Sequence, residues 1–158
     1  MAYTIKNMEV FTVLGIGTQL IAEQNENFYA EIARQKGAHV SNSQNALARL
    51  TKNANSDETY YVNEAVNGEM WYYVGVASDD AAASDVREIV FPAGKYLVIS
   101  DQADSRAALS GQLEGQAFGQ VLPNLDDFAY VGGPNAVVIK NNQSNQITGE
   151  IIIPVVAK

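Results

Sequence analysis

The chain has 158 residues, one histidine, no cysteine and a formal net charge of −8, from 18 acidic against 10 basic residues. Its length suits one domain over 1–158 with a core that needs no covalent staples. The lack of cysteine excludes disulfides and thiolate chemistry, and with one histidine it argues against a zinc site. An acidic chain without a basic patch argues against nucleic-acid binding. No run approaches 18 apolar residues, so no helical membrane span is expected. The opening MAYTIKNMEV lacks the apolar run of a signal peptide. A cytoplasmic protein without metal or cofactor is therefore expected.

In chain order, residues 8–21 (MEVFTVLGIGTQLI) read as one strand, weakened at Gly15 and Gly17. Residues 26–37 read as a short helix, because Phe28 and Ile32 are four apart and Gly37 is a natural stop. His39, in the polar stretch KGAHVSNSQN, reads as a surface-loop histidine rather than a catalytic base. Residues 41–53 carry serine caps and Leu47 and Leu50, which predicts a second helical piece. Strands at 59–66 and 69–77 flank Asn67-Gly68, a type I′ hairpin signal that needs positive φ at both turn positions. Residues 77–85 (ASDDAAASD) read as a linker.

The pattern then recurs. Residues 87–101 give strand character broken at Pro92-Ala93-Gly94, and 104–123 a helix capped at Asp104 or Ser105 and ended by Pro123. Residues 134–142 and 148–156 give a closing strand pair. The order strand-helix-strand-strand thus occurs twice, in halves of about 1–80 and 85–158. This predicts an α+β fold with pseudo-twofold symmetry, an antiparallel sheet and helices on one face. The later helix carries Gly111, Gly115 and Gly119, spaced by four on one face. Each opposes helix formation by about 1 kcal/mol relative to alanine. Either close backbone packing or room for a ligand against a smooth helix would offset that, and packing is the expected reading. A phosphate cradle is not expected, because such loops precede a helix.

The segments EVFTVLGIGTQL, FPAGKYLVIS and GEIIIPV, in this order along nearly the whole chain, resemble the GyrI-like, or AraC-type effector-binding, domain family. The resemblance implies the doubled architecture and a ligand cleft at the sheet between the halves. It also implies kinship with multidrug-sensing effector modules, gyrase-inhibitor-like stress proteins and stand-alone members. Some of the last are hydrolases of cyclopropane-bearing genotoxins. With no DNA-binding segment, this chain looks like a stand-alone member. The family's cation-recognising carboxylate falls on Val137 here, and the tyrosine that often accompanies it falls on Ile152. Neither functional side chain is retained, so these positions offer only apolar contact.

The stretch VNEAVNGEMWYYVGV holds the only tryptophan and sets carboxylates among aromatics. A two-residue loop at Asn67-Gly68 places Glu64 opposite Trp71, Asn63 opposite Tyr72 and Val62 opposite Tyr73. One face then carries Tyr61, Asn63, Ala65, Met70, Tyr72, Val74 and Val76, and suits packing on helices. The other carries Tyr60, Val62, Glu64, Trp71, Tyr73 and Gly75, an aromatic wall with one carboxylate. By pseudo-symmetry this hairpin corresponds to the closing hairpin, so Glu64 and its aromatics stand in for the missing carboxylate and tyrosine. The candidate ligand residues are Tyr60, Glu64, Trp71, Tyr73, Val137, Glu150 and Ile152. Glu64, with a pKa raised by desolvation, is the candidate acid for any catalysis. Stacking on these aromatics suits a flat hydrophobic or aromatic ligand. Three functions follow: a small-molecule binding module, a cyclopropanoid hydrolase using Glu64, or a gyrase-inhibitor-like protein-interaction role. The wall as plain core, with Glu64 at a solvated sheet edge, is the bland alternative.

Overall fold

The computed structural model describes residues 2–141 and 145–158. Among the described residues, nine strands form one antiparallel sheet: β1 (Thr4–Met8), β2 (Phe11–Leu20), β3 (Glu58–Val66), β4 (Glu69–Ala77), β5 (Arg87–Phe91), β6 (Gly94–Ala103), β7 (Phe128–Tyr130), β8 (Asn135–Lys140) and β9 (Ile147–Ala157). The helices are α1 (Phe28–Asn42), α2 (Gln44–Thr51) and α3 (Arg106–Gln116). Strand order is β1-β6-β9-β8-β3-β4-β2-β5, with short β7 also pairing β9. The pair β3–β8 lies at the middle, flanked by β4-β2-β5 on one side and β9-β6-β1 on the other. This is the expected doubled α+β pattern with pseudo-twofold symmetry.

The halves also exchange strands, which sequence reading missed. The strand expected over residues 8–21 runs as β2 from Phe11 to Leu20, and before it the chain bends after Met8, where the unexpected strand β1 leaves to pair with β6 of the second half. In return, β5 pairs with β2 of the first half. The bend is set by which neighbour offers free backbone groups, and those are remote in sequence. The expected strand at 134–142 runs over Asn135–Lys140, and its last residue, 142, lies outside the described residues.

The hairpin register is the expected one. Asn67 and Gly68 adopt φ of 52° and 80°, and Glu64 faces Trp71, Asn63 faces Tyr72 and Val62 faces Tyr73. Alternation then sorts the sheet into two faces. On one, Tyr72, Val74 and Val76 pack with Leu47, Ile32 and Val40 of α1 and α2. On the same face Val137, Ile151 and Ile153 pack with Leu109 and Leu113 of α3. Tyr61 belongs to both groups and joins them across the midline. The opposite face gathers Phe91 of edge strand β5, Met8 of edge strand β1, and Val62, Tyr96 and Ile152 into one cluster. Both edges of the strand order meet there, so the sheet is curled and fills its own hollow with side chains.

Two local expectations change. Helix α1 continues through Gly37 to Asn42, because its packing on the sheet outweighs the roughly 1 kcal/mol that a glycine opposes. His39 is therefore helical and half-buried, with Nε2 2.7 Å from the Ile16 carbonyl oxygen, not on a surface loop. Helix α3 is capped by Ser105, whose side chain accepts from the Ala108 N–H. It loosens after Gln116 into one π-helical turn, Ala117–Val121, before Pro123.

Candidate functional site

The expected Glu64–Trp71–Tyr73 face is mostly interior. Tyr73 is only 3% exposed and packs in the curled-sheet core. Its ring occupies the space left by Gly17, where a Cβ would lie 2.4 Å from the Tyr73 ring. The glycines of β2 are thus explained by packing. Trp71 stacks on Tyr73 with ring centroids 6.3 Å apart. Glu64 does not stand alone among aromatics: Arg87 donates to it at 2.9 Å, and the Arg87 guanidinium also lies 5.9 Å from the Tyr73 ring centre. The Arg87 pKa is raised, chiefly by that hydrogen bond. The carboxylate is satisfied by a cation that sequence reading could not pair with it, 23 residues further along the chain.

The other expected residues scatter. Ile152 is buried in the same core. Tyr60 is half-buried, its phenol pushed up to about 12, first by burial and then by Glu58 and Glu150. Glu150 is half-buried beside it, its pKa raised by desolvation. Val137 points the other way, into the helix-side core with Ile151 and Leu113. Strand alternation places Val138, paired with Tyr60 and Glu150, on the face where Val137 was expected to join them. Val137 therefore cannot share a site with Tyr60, Glu150 and Ile152. A shallow cavity of about 530 Å³ does border Trp71, Tyr73 and Arg87, but Glu69, Asp85 and Glu88 make its rim strongly charged.

A larger and more apolar cleft lies on the helix side. Between α1 and α3 is a cavity of about 700 Å³, walled by Tyr29, Ile32 and Ala33 on one side and Gly111, Gly115 and Phe118 on the other. The glycine stripe is not a packing seam: a Cβ built on Gly111, Gly115 or Gly119 would meet nothing within 4 Å. That corrects the expectation of close backbone packing, and the missing side chains leave open space instead. A second chamber of about 330 Å³ continues from it toward the hairpin end, sharing Tyr29, Ile32 and Phe118. Glu64 and Trp71 border this smaller chamber. The π-helical turn carries Phe118, whose ring meets Tyr130 edge-on at 5.6 Å. Such turns recur at functional sites.

Lys36 of α1 and Glu114 of α3 reach across the cleft to an ion pair at 3.3 Å, where the two chambers meet. The Lys36 ammonium also sits 5.0 Å over the Tyr72 ring. Arg106 lies 5.5 Å over the Tyr61 ring. Burial raises the phenol pKa of both Tyr61 and Tyr72, with Arg106 opposing it. Both remain neutral donors at physiological pH. Sequence reading missed Lys36, Arg106, Ser110 and Glu114. The available signal was their phase, since Arg106, Ser110 and Glu114 repeat at intervals of four beside the glycines.

The chain belongs to the integron-associated effector binding protein family, Cass2, whose model matches residues 4–155. The fold is shared by several solved structures. SAV2435 bound to tetraphenylphosphonium is 18% identical, with a TM-score of 0.74, covering 99% of this chain and 94% of that one. A Staphylococcus aureus MU50 protein described as a bacterial transcription regulator is also 18% identical, with a TM-score of 0.72 and 98% of each chain covered. An integron cassette protein from the Vibrio cholerae mobile metagenome is 12% identical, with a TM-score of 0.61, covering 96% and 95%. Among curated protein sequences none matches.

Proposed function

We propose that this protein binds a flat, hydrophobic small molecule in the helix-side cleft between α1 and α3. The observation that carries this reading is the stripe of Gly111, Gly115 and Gly119 facing empty space. Glycines inside a helix are unfavourable, and here no neighbour uses the room they leave. A ligand lying along α3 would use it. The cavity volume of about 700 Å³ falls within the usual range for small-molecule sites. Tyr29, 84% exposed, and Phe118 provide aromatic surface at the cleft walls. SAV2435, which shares this fold, is bound to tetraphenylphosphonium, and that supports the hydrophobic, aromatic part of this reading.

The test is Gly115→Leu, which places a side chain in the cleft from a position whose Cβ has open space around it. With the neutral fluorophore N-phenylnaphthylamine as probe, the substitution should weaken binding about tenfold or more while the far-UV spectrum is unchanged. Unchanged probe affinity would refute this site. Trp71→Ala separates the alternatives: binding lost there and kept in Gly115→Leu would move the site to the hairpin wall.

A further inference from the structure

We infer that the cleft selects ligands bearing an organic acid group, a carboxylate or sulfonate on a flat ring system, with Arg106 as the anchor. This rests on the helix-side cleft proposed above. The whole chain is strongly acidic, with a net charge of −8, yet the larger chamber is bordered by Lys36 and Arg106 against a single carboxylate, Glu114. Lys36 is taken by Glu114 at 3.3 Å. Among the described residues no carboxylate pairs with Arg106, whose neighbours are the Tyr61 ring and the Tyr72 phenol. The acids near it in sequence have other partners. Asp104 accepts from Gln146, and Asp101 from Gln112 and Gln116.

A half-buried guanidinium resting on Tyr61 presents a planar fork of N–H donors, a geometry suited to two acid oxygens at once. One turn further along α3 stands Ser110, which borders the same cavity, is 7% exposed, and has a hydroxyl without a hydrogen-bond partner. Buried hydroxyls are nearly always partnered. An acid group held by Arg106 would supply an acceptor within one helical turn of it. The ring system would then run past Gly111 and Gly115 toward Phe118 and Tyr29. A cationic ligand meets the opposite condition, since it would approach the like charge of Arg106.

Two fluorophores that differ only in a sulfonate, anilinonaphthalene sulfonate and N-phenylnaphthylamine, isolate the charge. The wild type should bind the sulfonate at least about tenfold more tightly than its neutral analogue, the scale of one charge-assisted hydrogen-bonding group. Arg106→Gln should erase that gap and leave the neutral probe unchanged, which also shows that the variant is folded. Ser110→Ala should narrow the gap by a smaller factor. Equal affinity for the two probes, or equal loss of both in Arg106→Gln, would overturn the acid selectivity while the cleft stands. If Gly115→Leu leaves both affinities unchanged, or neither probe binds, the cleft reading fails and the acid selectivity falls with it.

Discussion

Replacing Gly111 by alanine should make this protein more stable. Gly111 lies at the middle of α3 and is exposed to the cleft. A Cβ there meets nothing within 4 Å, so the added methyl brings neither a clash nor a useful burial. What remains is helix propensity, about 1 kcal/mol in favour of alanine in a helix interior, part of it from a less flexible unfolded chain. For a chain of this size that corresponds to a rise in Tm of about 2–4 °C. Urea unfolding can be followed through Trp71, the only tryptophan, which is half-buried against Tyr73. The midpoint should rise with an unchanged slope, because the surface exposed on unfolding is the same. The same methyl stands where a ligand along α3 would lie, so the affinity for N-phenylnaphthylamine should fall, though by less than in Gly115→Leu. A loss of stability of about 1 kcal/mol or more would mean that another segment packs on the glycine, and the open cleft would be refuted.

Glu64→Gln tests the role of the hairpin acid. Its pair with Arg87 joins a side chain 15% exposed to one 45% exposed, so the loss should stay near ~1 kcal/mol in denaturant titration. Probe affinity should not change; lost binding at constant stability would return the site to the hairpin wall. Glu150→Gln tests the half-buried carboxylate that shares a sheet face with Tyr60 across β8. Its folded pKa is raised, first by desolvation and then by Glu58, with Lys6 and Lys140 opposing. The folded state therefore holds its proton longer than the unfolded chain, and stability is lost as pH rises from the ordinary carboxylate range through the raised folded value. The neutral glutamine escapes that loss, so the variant should gain stability on the wild type between pH 4 and pH 8. A relative stability that does not move with pH would show that desolvation is not what governs Glu150.

The cleft is assembled from residues that sequence keeps far apart. Lys36 and Glu114 meet across 78 positions, and Glu64 and Arg87 across 23. Neither pairing has a local signature, because an ion pair forms wherever packing brings its partners together. The same holds for the exchange of β1 and β5 between halves. Each leaves its hairpin neighbour for an edge whose free backbone groups come from the other half.

What the amino-acid order determined by itself was short-range. Asn67-Gly68 set the hairpin register, since few residues accept positive φ at both turn positions. That register sorted Tyr61 and Tyr72 from Tyr60 and Tyr73, and Ser105 set the start of α3. Only the tertiary structure decided which face was hollow core and which was cleft. Both faces of the hairpin are rich in aromatic side chains, so hydrophobic pattern alone does not distinguish them. The curl of the sheet closes one face on itself, while α1 and α3 stand apart over the other, and that spacing is a property of the packed whole.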